Sequence, residues 1–344
     1  MKSPQHVARL RRGVDVFGER TIDATLQVRV LGCEFEFVAN DRRLLSLVRR
    51  AYAGLPEPAI SNGSSRFRIV LRLTDSRVEK GVATSNRTPA AAKLHSGAGF
   101  LCGMVDADNF LIVAPQQGTA LISVSRSMFD HPYHLRYEMI EFAVYLLAAR
   151  AQGWIPLHAA CVGRVGKGVL IIGASGAGKS TLALHCMQQG MEFLAEDSVL
   201  ISPDALRAFG VANFLHLRVG ADYFLPKIPA WIRTSPVIRR RSGVKKFEID
   251  LRATEYRLAA RPLQIKSVVF LSPAQIPKRV RASGGLLQPL TATALRKRLG
   301  DTQAYATSQS GWSNFVARIS RLNSYVLHRA QHPAEQVAAI ESLL

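Results

Sequence analysis

The chain is 344 residues long and 48% apolar, with 45 lysines and arginines against 25 aspartates and glutamates, a formal net charge of +20. That length exceeds what one core usually serves, so two domains are expected, and the apolar share excludes a disordered chain. A field this positive favours anionic partners: nucleotides, phosphorylated groups, acidic peptides or nucleic acid.

The N-terminus, Met1-Lys2-Ser3-Pro4-Gln5-His6, leads into Arg9-Leu10-Arg11-Arg12 without an apolar core, so no secretory signal is expected. Leu26, Val28 and Val30 alternate with Gln27 and Arg29, and Phe35 and Phe37 alternate with Glu34 and Glu36, the period of half-buried strands. A helix is expected from about Asp41 to Tyr52, with Leu44, Leu45 and Val48 inward. Ser61-Asn62-Gly63-Ser64-Ser65 reads as a loop. Phe67, Ile69, Leu71 and Leu73 then repeat the strand period, with Arg66, Arg68 and Arg72 on the other face. A second loop is expected around Ala83 to Pro89. Phe110 to Val113 and Ala120 to Val124 flank Pro115-Gln116-Gln117-Gly118, a hairpin connection. This β-rich half, 1–134, shows no catalytic cluster. A connecting helix over 135–153 follows, with Met139, Phe142, Ala143, Leu146 and Leu147 on one face and Gly153 as its stop. Its apolar stretch, Phe142 to Ala149, is too short to span a membrane. Cys33, Cys102, Cys161 and Cys186 show no CxxC spacing, which predicts reduced thiols in a cytoplasmic protein and neither disulfides nor a zinc site.

From Ile155 the texture changes, and 154–344 reads as a second domain. Leu157-His158-Ala159-Ala160-Cys161-Val162 predicts a strand, Gly163 to Gly168 a tight turn, and Val169 to Ile172 a second buried strand. Next comes Gly173-Ala174-Ser175-Gly176-Ala177-Gly178-Lys179-Ser180, the G-x-x-x-x-G-K-S pattern of a phosphate-binding loop. A helix from Thr181 to Met187 follows, closed by Gly190. Glycines let successive backbone N–H groups turn inward, and the helix N-terminus adds positive potential. The nucleotide-binding set is therefore Gly173 to Ser180 with Thr181. Lys179 would reach the β- and γ-phosphates, and the Ser180 hydroxyl would hold Mg²⁺.

Glu192-Phe193-Leu194-Ala195-Glu196-Asp197 is a short strand ending in two carboxylates. Ligands of open α/β sheets lie beyond the carboxyl ends of the strands, so Glu196 and Asp197 should approach the loop. A carboxylate there can hold Mg²⁺ or accept a proton from an attacking hydroxyl. The densest basic run is Arg239-Arg240-Arg241, followed by Lys245-Lys246. It is either a solvated cationic face or the hold on an acidic or already phosphorylated substrate.

Three elements within His158 to Ile201 resemble the C-terminal kinase domain of the HPr kinase/phosphorylase family. His158 opens the strand before the loop hairpin, the loop is Gly173 to Ser180, and Ala195-Glu196-Asp197 stands where the family has Ala-Asp-Asp. Phe209-Gly210-Val211 to Leu217 and Lys245 to Leu251 resemble the shortened relatives found with peptide natural-product clusters, lasso peptides among them. The resemblance implies an α/β fold: a P-loop kinase core with an HPr-kinase/PEP-carboxykinase-like sheet and flanking helices, behind a β-rich α+β module. It implies ATP- and Mg²⁺-dependent phosphoryl transfer to a serine hydroxyl of a peptide or small protein. The base and metal roles then fall to Asp197 and Glu196, with His158 assisting, and Asp197 is favoured as base. The first motif carboxylate is Glu196 rather than Asp, His158 is followed by Ala159 rather than Gly, and no Arg-Gly-x-Gly-Ile signature is found. The reverse phosphorylase reaction and HPr as acceptor are thus not among the expectations.

The resulting expectation is a cytoplasmic ATP-dependent serine kinase without a membrane partner, its oligomeric state open. The rivals are a nucleotide-dependent nucleic-acid-binding ATPase, favoured by the charge, a non-catalytic nucleotide-sensing scaffold, and a small-molecule kinase.

Overall fold

The structure, a computed structural model, describes residues 24–56, 65–74, 88–221, 230–275 and 285–344. The expected loop at Ser61–Ser65, Ser65 apart, lies outside the described residues. So do residues 83–87 of the second expected loop and the N-terminal segments read above. The fold is mixed α/β. The chain divides into two compact units, one built mainly of residues up to Leu147 and the other of Ala148–Leu344.

The first unit is a seven-stranded sheet. Its strands are β1 (Ala24–Val30), β2 (Cys33–Ala39), β3 (Arg66–Thr74), β4 (Lys93–Gly97), β5 (Phe100–Met104), β6 (Phe110–Ala114) and β7 (Thr119–Ser125), ordered β1-β2-β3-β7-β6-β5-β4. Strand β3 runs parallel to β2 and β7, and β7 to β4 form an antiparallel meander. Helix α1 (Arg42–Tyr52) is capped by Asp41, whose carboxylate accepts from the Arg43 N–H at 2.8 Å, and it buries Leu44, Leu45 and Val48. The helix expected over 135–153 starts differently from its sequence pattern. Leu135–Glu141 is wound as a π-helix, and α2 (Phe142–Gln152) continues it in α form. Arg136 and Glu141, both buried and five residues apart, form an ion pair there, and a five-residue spacing is what a π turn aligns.

In the second unit a nine-stranded sheet holds β8 (Ile155–Leu157), β9 (Ala159–Arg164), β10 (Lys167–Ile172), β11 (Glu192–Ala195), β12 (Val199–Ile201) and β13 (Arg207–Phe209). Three-stranded pairing of β14 (Phe214–Arg218), β15 (Val237–Arg239) and β16 (Lys245–Asp250) makes a separate sheet. Strands β17 (Leu263–Gln275), β18 (Leu287–Pro289) and β19 (Asn323–Arg329) complete the larger one, in which β10 and β19 flank β17 in parallel. Besides a one-turn helix at Ala230–Arg233, five helices accompany the strands among the described residues: α3 (Lys179–Gln188), α4 (Ala292–Thr302), α5 (Ala304–Thr307), α6 (Trp312–Ile319) and α7 (Pro333–Glu341).

Alternation along the central strands sorts the core into two clusters. Ala160, Val162, Val169 and Ile171 pack with α3 residues Leu182 and Cys186 and α7 residues Val337 and Ile340. Ala159, Cys161, Leu170 and Ile172 pack with Leu295 and Leu299 of α4 and Phe315 of α6. A sheet buried on both faces reads as near-continuous apolar runs, which is why these strands lack the polar alternation of the first unit. The β9–β10 turn is Val165-Gly166, with φ of +51° and +74°, and Val165 is 86% exposed. Two left-handed residues suit a two-residue hairpin, though valine adopts that conformation poorly.

The single strand expected over Leu157–Val162 is two. Strand β8 pairs with β12, whereas β9 pairs with β10 and β11. The chain changes partners at His158, which belongs to neither strand. All four cysteines are free. Among the described residues no helix is long and apolar enough to cross a membrane.

Candidate active site

The glycine loop joins β10 to α3. Gly176 and Gly178 take φ of +82° and +102°, a region that a Cβ makes costly. Gly178 is the N-cap of α3 and offers no side chain to its first-turn amides. Ala174, Ser175 and Gly176 are exposed, Ser180 and Thr181 are half-buried in the first turn, and Lys179 is buried. The Lys179 ammonium donates to the Gly173 carbonyl at 2.7 Å and the Ala174 carbonyl at 3.4 Å, and lies 3.0 Å from His158 Nε2. Burial lowers the Lys179 pKa, with the charges of Asp197 and Glu196 opposing that shift.

The carboxylate pair follows β11. Asp197 Oδ1 lies 3.0 Å from His158 Nδ1, and its Oδ2 lies 3.6 Å from Arg240 Nη2. With Nδ1 donating to Asp197, His158 Nε2 is left to accept from Lys179, so one imidazole tautomer satisfies both contacts. Lys179, His158 and Asp197 thus form a continuous chain from the glycine loop to a carboxylate whose side chain is 25% exposed.

Glu196 points elsewhere. Its side chain is 6% exposed, and Oε1 accepts from His216 twice, from the backbone N–H at 3.0 Å and from Nδ1 at 2.5 Å. The far ring nitrogen of His216 lies 3.5 Å from Glu248, its register partner across the β14–β16 ladder. Glu196 Oε2 is sealed from solvent without a hydrogen-bond partner. Burial by itself would raise the Glu196 pKa and lower that of His216, but their mutual attraction outweighs it: Glu196 is shifted down and His216 up. Both shifts favour the charged forms, and the two hydrogen bonds tie the end of β11 to the three-stranded sheet.

That sheet divides the basic residues singled out in the sequence. Arg240 reaches Asp197, and Lys246 shares the field of Glu196 and Asp197, its pKa lowered chiefly by burial. Arg239 and Lys245 face each other in register and stand exposed, and Arg241 is half-buried. Sequence reasoning did not single out His216, Glu248 or Gln303. A histidine in the apolar run Phe214–Arg218 and a glutamate between Phe247 and Ile249 were the available signals for the first two; nothing local marks Gln303.

Ser180 and Asp197 offer hard oxygen donors suited to Mg²⁺, an ion that keeps several waters and takes one or two protein ligands beside phosphate oxygens. Glu196, in the expected metal set, has one oxygen bound to His216 and the other closed to solvent. Among the described residues no group of three or more His, Cys, Asp or Glu side chains is placed to hold a metal.

No family profile matches the chain. In the Coxiella burnetii Hpr(Ser) kinase/phosphatase structure the likeness covers 54% of this chain and 94% of that one, at 13% identity and a TM-score of 0.29, too distant to transfer a residue. Over 72 residues the chain is 38% identical to the HPr kinase/phosphorylase of Mycoplasmopsis pulmonis (strain UAB CTIP). That stretch is 21% of this chain and 23% of the relative, so the chain matches under a quarter of that protein's length.

Proposed function

We propose that the second unit is a P-loop kinase core that transfers the γ-phosphoryl group of ATP to a serine hydroxyl of a peptide or small protein. One observation carries the reading: the Lys179–His158–Asp197 chain, which joins a nucleotide-type glycine loop to a solvent-reachable carboxylate. The 72-residue similarity to an HPr kinase/phosphorylase supports it.

In this reading the amides of Gly173 to Thr181 and the Lys179 ammonium hold the phosphates. Asp197 accepts the proton of the serine hydroxyl as its oxygen forms a bond to the γ-phosphorus. The bond from that phosphorus to the bridging oxygen breaks, and ADP departs with its electron pair. His158 orients the Asp197 carboxylate, and Arg240 offsets its charge. Mg²⁺, when bound through the Ser180 hydroxyl and, across water, Asp197, supplies neutralisation of phosphate charge. Glu196 is an anchor rather than the base, because both its oxygens are committed to the interior. The exposed Arg239 and Lys245 favour an acceptor with acidic or phosphorylated residues near its serine.

The test is incubation with ATP, Mg²⁺ and a panel of serine peptides with acidic flanks, read by mass spectrometry. Lys179→Ala and Asp197→Asn are each expected to reduce transfer by roughly a hundredfold or more. Transfer undiminished in both variants, or hydrolysis of ATP stimulated by nucleic acid with no peptide accepted, overturns the assignment.

A further inference from the structure

His158 sits where the chain leaves one strand pairing and enters another, so the ladders of β8 and β9 do not serve its peptide groups. Both are met by one side chain 145 residues away. The His158 N–H donates to Gln303 Oε1 at 2.8 Å, and Gln303 Nε2 donates to the His158 carbonyl at 3.3 Å. A carboxamide making both bonds acts as a peptide unit would in a neighbouring strand.

Gln303 is itself held firmly. It is 4% exposed and stands between α4 and α5. Its N–H donates to the Leu299 carbonyl at 3.0 Å, and its own carbonyl accepts from Ala306 at 2.8 Å and Thr307 at 3.1 Å. The flanking Leu295, Leu299 and Ala306 are buried in the same cluster as Leu157 and Ala159, the residues on either side of His158. The clamp is thus fastened to the core that carries its target. The His158 ring is about half-exposed, its side chain 47% accessible, so its own packing does not fix it.

We propose that Gln303 is a positioning residue: its carboxamide fixes the main chain at His158 so that the imidazole bridges Asp197 and Lys179. The role rests on the kinase reading above for its catalytic consequence, but the geometric part stands apart from it. Shape-preserving loss of the clamp, Gln303→Leu, should lower kcat for peptide phosphorylation roughly ten- to a hundredfold, because such alignments tolerate little displacement. KM for ATP should stay within about twofold, since the loop amides are untouched. In a His158→Ala background Gln303→Leu should add little further loss. The nitrogen-15 imidazole spectrum of His158 should show the Nδ1–H tautomer in the wild type and an averaged signal in Gln303→Leu.

Gln303→Glu, which keeps the acceptor for the His158 N–H and loses the donor, provides the same readings if the leucine variant does not fold. Unchanged kcat, fully multiplicative losses in the double variant, or an unaltered His158 spectrum overturns the proposal. If the wild type phosphorylates no peptide, the kinase reading fails, and the His158 spectrum alone decides the role of Gln303.

Discussion

At the scale of the residue, the site separates two neighbouring carboxylates by environment. Asp197 faces the loop and solvent, and Glu196 turns into the interior toward His216. The longer side chain of Glu196 suits this, since it reaches a histidine on β14, three strands on in the chain order. A buried ion pair adds little net stability over an apolar pair, but removing one partner leaves a charge in a medium that solvates it poorly. His216→Leu is therefore expected to destabilise the second unit by about 3 kcal/mol or more. A fall in the urea midpoint checks this, and an unchanged midpoint would show that Glu196 finds another partner. The two carboxylates and the lysine were legible in the sequence, because a G-x-x-x-x-G-K-S run followed by a helix and a short strand is a local pattern. Which carboxylate turns inward was not. That is decided by His216 and Glu248, brought in by a sheet whose pairing is not written in local spacing.

At the scale of the element, the helices and strands with a single buried face were legible. Helix α1 begins after Asp41 and ends at Tyr52, as its capping residue and apolar stripe indicate. The hairpin around Pro115–Gly118 and the strand–loop–helix around Gly173 followed from turn chemistry and glycine spacing. What escaped depended on partners distant in sequence: the break at His158, and the π-wound start of the helix before α2, where a buried Arg136–Glu141 pair overrides α-helical spacing. Helix α7 illustrates a pH response built on such a partner. His332 caps it by accepting from the Ala334 N–H at 3.1 Å, and the ring of His185 on α3 lies edge-on to it, centroids 5.3 Å apart. Burial, and then the neighbouring His332, lower the His185 pKa from an ordinary 6.5. The unfolded chain consequently binds the proton more tightly than the folded one. Stability from this group is present above the unfolded value and is lost as pH falls below about 6.5 toward the folded value. Melting temperature should drop on acidification from about pH 7.5 to about pH 5.5, and His185→Leu should flatten that slope. An equal slope in both proteins would place the response elsewhere.

At the scale of the whole molecule, the +20 charge is a background field, and the site uses a small, particular part of it. Arg240 lies against Asp197 and Lys246 is within the field of both carboxylates, while Arg239 and Lys245 remain in solvent. Composition gives the net charge and not this division, which comes from alternation of Lys245 and Lys246 along β16 and from the turn that carries Arg240 past the end of β15. The tip of the β9–β10 hairpin bears on the same balance in another way. Val165 holds a left-handed conformation at φ +51° with 86% of its surface in water, so its side chain contributes strain and little packing. Val165→Asn should recover about 1 kcal/mol and raise the melting temperature by roughly 2–4 °C. No gain would mean that the turn relaxes around valine at no cost. With the gain, the substitution becomes a stabilised background in which the damaging interior variants, His216→Leu first among them, stay folded long enough for their chemistry to be measured.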